Sequence, residues 1–175
     1  MIFKPTEDED LSPADEVKII YCSRTHSQLV QFVTELRRVD LPAPSWFDDQ
    51  DTTMHGQFDA PPEVKHLSLG SRKNLCINSQ VQKGGNVASI NERCLELQQS
   101  DTPRDRRCSF LPSRENEPLV HEFRDHALAK VRDIEELGDI GRSLGICPYY
   151  ASRTAIKPSE VSLDHISEKH DAQLL

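Results

Sequence analysis

Apolar positions in this chain come in short runs separated by long polar stretches. Val17-Lys-Ile-Ile-Tyr-Cys22 is β-branched and apolar on both faces. That pattern predicts a buried parallel strand, with Cys22 buried at its end. Leu29, Phe32, Val33 and Leu36 recur at helical spacing and predict an amphipathic helix. Thr25 and Gln28 have the spacing of a capping box, which starts that helix near Thr25. Strand, tight turn and helix together open an α/β unit. Val64 to Leu69 reads as a second strand ending at Gly70, and Val87, Ile90, Cys94 and Leu97 share one helical face. Val120, Phe123, Ala127, Val131 and Ile134 predict one long helix from about Glu117 to Leu137. Pro118 suits its first turn and Gly138 its stop. After Ile156 the periodicity fades, and Ser159 to Leu175 offers no strong core residue.

Composition adjusts this picture. The chain has 175 residues, enough for one ordinary domain or a small domain inserted into part of another. The hydrophobic share is 36% and the charged share 29%, which predicts a modest core with long solvated loops. Residues 1–16 are polar and predicted to be disordered. Residues 40–62, acidic and flanked by Pro42, Pro44, Pro61 and Pro62, predict a flexible loop, with Trp46 and Phe47 as its candidate anchors. No run approaches the roughly 20 apolar residues that span a bilayer, so no membrane partner is expected. The net charge of −8 does not advertise nucleic-acid binding. Arg72 and Lys73, and Arg104, Arg106 and Arg107, still form local basic groups that a whole-chain count hides.

The chain has five cysteines and no secretory signal, so a reducing compartment is expected, where cysteines serve more often as ligands than in disulfides. Cys76, Cys94, Cys108 and Cys147 lie at long, uneven intervals with no CxxC pair. Zinc ribbons pair their ligands closely. Spacing alone therefore leaves two readings open: a metal site, or free cysteines buried for packing. Pro148 after Cys147 favours the first, because proline often follows the last ligand of an iron–sulfur cluster. The histidine pairs His121/His126 and His165/His170 are five apart, not four, and are assigned no chemistry.

Longer segments carry a resemblance. Leu69-Gly-Ser-Arg-Lys-Asn-Leu-Cys76-Ile-Asn resembles the entry to the iron–sulfur domain of XPD-like superfamily 2 helicases, and Gly145-Ile-Cys147-Pro-Tyr-Tyr-Ala-Ser-Arg153 resembles its exit. Asn91-Glu-Arg-Cys94 and Cys108-Ser-Phe-Leu resemble the middle ligands, in the right order. Tyr21-Cys-Ser-Arg-Thr-His-Ser-Gln-Leu29 resembles helicase motif Ia. The Arg124 to Leu137 segment draws the likeness towards the chromosome-cohesion branch called ChlR or Chl. One departure is Ser109 after the third ligand, where the family often has proline.

The resemblance implies an incomplete RecA-like (P-loop NTPase) parallel-sheet fragment, α/β in class, with an inserted, mainly helical iron–sulfur domain. It divides the chain into a partial helicase domain at 17–75, a cluster domain at 76–147, and a return with a divergent tail at 148–175. It implies a 4Fe–4S cluster on Cys76, Cys94, Cys108 and Cys147, and leaves Cys22 outside the site. It implies contact with single-stranded or forked DNA through Arg24, Thr25, His26, Ser27 and Gln28, at a helix N-terminus where backbone N–H groups favour phosphate. Arg72 and Lys73 join that set. Tyr149 and Tyr150 are expected in the core rather than stacked on bases. The family's enzymes act in the nucleus, in replication, repair and sister-chromatid cohesion, which implies replication or cohesion proteins as partners.

The chain has no GxxxxGK[ST] loop and no Asp-Glu-Ala-His box. ATP and Mg²⁺ are thus expected only in a complete parent protein, with this chain inactive alone. Its strands are expected to lack their central neighbours, leaving open edges. A non-enzymatic iron–sulfur or zinc module that binds DNA or protein is the alternative. Thiolates alone accept either metal.

Overall fold

The computed structural model describes residues 18–40 and 64–165. The expectations for residues 1–16, for the 40–62 loop beyond Asp40, and for the tail after His165 lie outside the described residues.

Three parallel strands form the sheet: β1 (Ile19–Ser23), β2 (His66–Ser68) and β3 (Val161–His165), in the order β1-β3-β2. Ile19 and His66 both align with Val161, and Tyr21 and Ser68 with Leu163. The central position of β3 corrects the reading of Ser159 onward as a stretch without a strong core residue, and gives β1 and β2 the central neighbour they were expected to lack. Val161 and Leu163 are buried against Leu29 and Val33. The apolar signal is only two residues long, and strand pairing on both sides supplies the rest.

Among the described residues β1 is an edge strand, which corrects its reading as buried. Ile19, Ile20 and Tyr21 are 56%, 62% and 37% exposed, and Cys22 is exposed too. A strand apolar on both faces requires cover on both faces. Among the described residues only α1 (His26–Leu36) covers one, with Phe32 stacked on Tyr21 at 4.6 Å between ring centroids. Leu29 and Val33 make the buried stripe of α1, as its periodicity predicts.

Between β2 and β3 the chain is helical: α2 (Arg72–Leu75), α3 (Ser79–Gln82), α4 (Val87–Glu96), α5 (Glu117–Leu128), α6 (Ile134–Leu144) and α7 (Pro148–Thr154), with a 3-10 turn at Arg104–Arg106. The single helix predicted over Glu117 to Leu137 is two helices. Asp133 caps α6 in a reciprocal box: its side chain accepts from the Glu136 N–H at 2.9 Å, and Glu136 accepts from the Asp133 N–H at 2.8 Å. Two donors satisfied by one local motif outweigh a continuous stripe. Gly138 lies buried within α6, and the real stop is Gly145, with φ of 69°. Pro118 does sit in the first turn of α5.

Two hydrophobic cores divide this helical span. Leu67 and Leu69 join Val120, Phe123, Ala127, Leu137, Ile146 and Ala151 in the larger one, so α5, α6 and α7 pack on the sheet. Cys76, Val81, Ile90, Cys94 and Leu97 form a smaller core around α4. Val87, assigned to the same helical face, is instead exposed. Tyr150 packs against both cores and joins them.

Candidate metal centre and nucleic-acid face

The four cysteines come from four different places along the chain. Cys76 ends α2, Cys94 lies on the buried face of α4, Cys108 follows the 3-10 turn, and Cys147 caps α7. Cys76, Cys94 and Cys147 are buried and Cys108 is half-buried. Their thiols lie within electrostatic reach of one another: Cys76 with Cys94 and Cys108, Cys94 with Cys108, and Cys147 with both Cys108 and Cys76. Among the described residues, no three His, Cys, Asp or Glu side chains form a group that could hold a single metal ion. Cys22 lies apart at the sheet edge, outside this set.

N–H groups converge on the sulfurs. Gln98 Nε2 donates to Cys94 Sγ at 3.2 Å, and Asn78 Nδ2 donates to Cys108 Sγ at 3.3 Å. Arg72 also bonds Cys94 through its side chain. Backbone N–H groups of Tyr150 and Tyr149, in the first turn of α7, serve Cys147. Burial pushes the Cys147 thiol up to about 11, against the pull of those donors. Burial also raises Cys76 and Cys94, opposed at Cys94 by Arg72 and Gln98. Left as free thiols these groups stay protonated at neutral pH. A bound cation overturns that preference, because thiolate is the ligating form. The donor set fits a thiolate-bound inorganic group: four soft sulfurs, and amide or guanidinium donors aimed at all four, the backbone N–H of Asn78 serving Cys76.

Arg72 is packed rather than solvated. Its guanidinium lies 4.5 Å from the Tyr149 ring centroid and donates to the Tyr150 hydroxyl at 3.1 Å, while its Nε is buried without a partner. Arg153 covers the Tyr149 ring at 3.5 Å. Tyr149 is buried and Tyr150 half-buried, in the core as expected. Of the basic pair, Lys73 is the exposed member.

The turn between β1 and α1 carries the predicted phosphate contacts. Thr25 is the N-cap of α1 and accepts from the Gln28 N–H at 3.4 Å. The box is half formed, since the Gln28 side chain accepts from the Ser23 hydroxyl instead. Arg24, Ser27 and Gln28 are exposed. His26 Nε2 is hydrogen-bonded to Asn74 Nδ2, which ties this turn to α2 beside Lys73. Two groups of residues about 48 apart in sequence thus share one surface.

Sequence reading missed Asn78 and Gln98 as partners of the sulfurs. Gln98 follows Cys94 by four residues, the spacing that brings side chains together on a helix. Asn78 follows Cys76 by two and serves a cysteine 30 residues away, which no local pattern signals.

A parallel sheet with a strand-to-helix turn, followed by a cysteine-bearing helical span, makes an α/β unit. The profile of the DEAD_2 family matches residues 21–163, and the chain belongs to that family. The ATP-dependent DNA helicase chl1 of Aspergillus clavatus is 54% identical over 157 residues, 90% of this chain and 21% of the relative. The protein of the same name from Neosartorya fischeri is 56% identical over 155 residues, 89% of this chain and 18% of the relative. ATP-dependent DNA helicase CHL1 of Candida albicans is 39% identical over 164 residues, 92% of this chain and 18% of the relative. The chain spans about a fifth of the length of these curated relatives. The motif-based likeness to the ChlR branch of XPD-like helicases agrees with these matches.

Proposed function

We propose that this chain is the part of an ATP-dependent 5′–3′ DNA helicase that binds a 4Fe–4S cluster and grips single-stranded or forked DNA. Cys76, Cys94, Cys108 and Cys147 hold the cluster, which closes the chain between residues 76 and 147 into a module beside the sheet. The cluster supplies a cross-link, not electron chemistry. Arg24, Thr25, His26, Ser27 and Gln28 meet phosphate at the N-terminus of α1, with Lys73 next to them and Arg72 acting from behind through Tyr149, Tyr150 and Cys94. ATP and Mg²⁺ act in the complete parent protein. The setting is the nucleus, with replication and cohesion proteins as partners in DNA repair and sister-chromatid cohesion.

One observation carries this reading: four sulfurs from distant positions share one neighbourhood in a DEAD_2 chain. Anaerobic purification tests it. A brown protein with broad absorption near about 400 nm, with iron and sulfide in equal amounts, is the expected result. A colourless protein holding stoichiometric zinc transfers the site to the alternative non-enzymatic module. A metal-free protein that folds normally overturns the metal site altogether.

A further inference from the structure

The four sulfur residues are not held alike. Cys76 ends α2, Cys94 lies within α4 and Cys147 caps α7, and all three are buried members of the two hydrophobic cores. Cys108 belongs to no helix. It stands in the loop between α4 and α5, half-buried against the smaller core. A cleft of about 570 Å³ reaches it, with Gln98 in the same lining.

Hydrogen bonds close this loop on the site. Thr102 donates from Oγ1 to the Glu96 carbonyl at 2.6 Å, and Arg107 donates to the Ser100 and Thr102 carbonyls at 2.8 Å and 2.9 Å. Beyond Cys108, the Phe110 carbonyl accepts from the Cys147 N–H at 2.7 Å. At the sulfur itself, Asn78 Nδ2 donates to Cys108 Sγ at 3.3 Å. The Asn78 amide is held the right way round for this. Its Oδ1 accepts from the Gln80 N–H at 2.9 Å as the N-cap of α3, which leaves Nδ2 to face the sulfur. The backbone N–H of Asn78 serves Cys76, so one residue touches two of the four sulfurs.

We infer that Cys108 is the exchange corner of the sulfur site, the last thiolate to bind an inorganic group and the first to release it, and that Asn78 is the positioning residue that holds it closed. The inference rests on the reading of Cys76, Cys94, Cys108 and Cys147 as one ligand set. A thiolate must swing away before a competing ligand can take its place. Cys76, Cys94 and Cys147 swing only if a packed core opens, which exposes apolar surface. Cys108 moves with a loop closed by hydrogen bonds that water can replace. The Asn78 N–H eases the negative charge on the Cys108 sulfur and fixes its direction, as partners of metal ligands do.

The test uses the full chain, purified anaerobically, with EDTA as the competing chelator and iodoacetamide as the thiol probe. Metal loss is followed by metal analysis, and alkylated peptides by mass spectrometry. Exposed Cys22 reacts from the start and serves as the internal control. As metal leaves the wild type, Cys108 is expected to be alkylated ahead of Cys76, Cys94 and Cys147, a readout that needs no variant. Asn78→Asp and Asn78→Ser both keep an N-cap for α3 and remove the donor, so their circular dichroism is expected to match the wild type. Asn78→Asp also sets a carboxylate against the sulfur. Its metal loss is expected to be at least about tenfold faster than that of the wild type, the lower end of the usual cost of losing a ligand's partner, with Asn78→Ser in between. Gln98→Leu removes the donor to buried Cys94 and is expected to change the rate less. First alkylation at Cys76, Cys94 or Cys147, or a wild-type rate in Asn78→Asp, overturns the inference and leaves the proposed function standing. Faster loss from Gln98→Leu than from Asn78→Asp moves the exchange corner to Cys94 and overturns it too. A wild-type protein that holds neither iron nor zinc overturns both the inference and the proposed function.

Discussion

The helical span between β2 and β3 and the sheet edge at β1 solve the same problem to different extents. In the helical span, Phe123, Leu137, Ile146, Leu75 and Val81 are essentially without solvent contact. At β1, three successive large apolar residues face water. The difference lies in how local the stabilising contacts are. Helices cap themselves, as Asp133 and Glu136 do, and bury a stripe against a neighbour close in sequence. A parallel strand needs partners and covering layers brought from far along the chain. Among the described residues β1 has one pairing partner, β3, about 140 residues away, and one covering helix. The helical half therefore behaves as a finished body, and the β1 edge as an unfinished one.

The sharpest break in that comparison is chemical. Cys147→Ser removes one of four sulfurs; on the proposed reading metal content falls from one cluster per chain to none, with the 76–108 region becoming protease-sensitive while the sheet stays resistant. Retention of full metal content, measured by iron analysis, would separate Cys147 from the site.

The next effect is in the sheet. His66 on β2 is buried with neither ring nitrogen partnered, and its pKa is lowered to about 4 by burial and by Arg37. Its folded pKa lies below the ordinary 6.5, so the unfolded chain takes up a proton first. Stability is present above pH 6.5 and lost as the pH falls towards 4, by up to about 3 kcal/mol. Denaturant melts of His66→Leu are expected to lack this acid limb. An unchanged limb would place the sensitivity elsewhere.

A smaller effect probes the helical body. Gly141 lies where α6 meets α7, and a Cβ there would overlap the Pro148 ring and lie 2.9 Å from the Ile146 carbonyl oxygen. Gly141→Ala is expected to cost about 1–3 kcal/mol, the usual range for overpacking. Equal stability of variant and parent in urea melts would mean that α6 and α7 separate freely. The smallest effect is at the open edge. Ile20→Thr keeps a β-branched residue and removes exposed apolar surface, so stability should move by no more than about 0.5 kcal/mol. Light scattering should show less association. A large loss of stability would show that β1 is covered after all.

Much of this molecule is written locally. The stripe of α1, the Thr25 cap, Pro118 at the start of α5, and the core positions of Ile90, Cys94 and Leu97 follow from residue order alone. The two-helix break at Asp133 was also legible as Asp133-x-x-Glu136, but a continuous stripe through Val131 and Ile134 masked it. β3 was not legible, because Val161 and Leu163 make too short an alternation to stand out. Cys22 looked buried because a strand sequence states what it prefers, not whether a neighbour arrives.

The candidate site divides in the same way. Sequence by itself named the candidate residues, because thiols, guanidiniums and caps are properties of residue type and spacing. Tertiary structure alone decided that Cys76, Cys94, Cys108 and Cys147 share one neighbourhood, that Asn78 serves Cys108, and that Arg72 packs on Tyr149 while Lys73 meets solvent. Those contacts cross from tens of residues to more than seventy, and only the packing of whole elements sets which distant side chains meet.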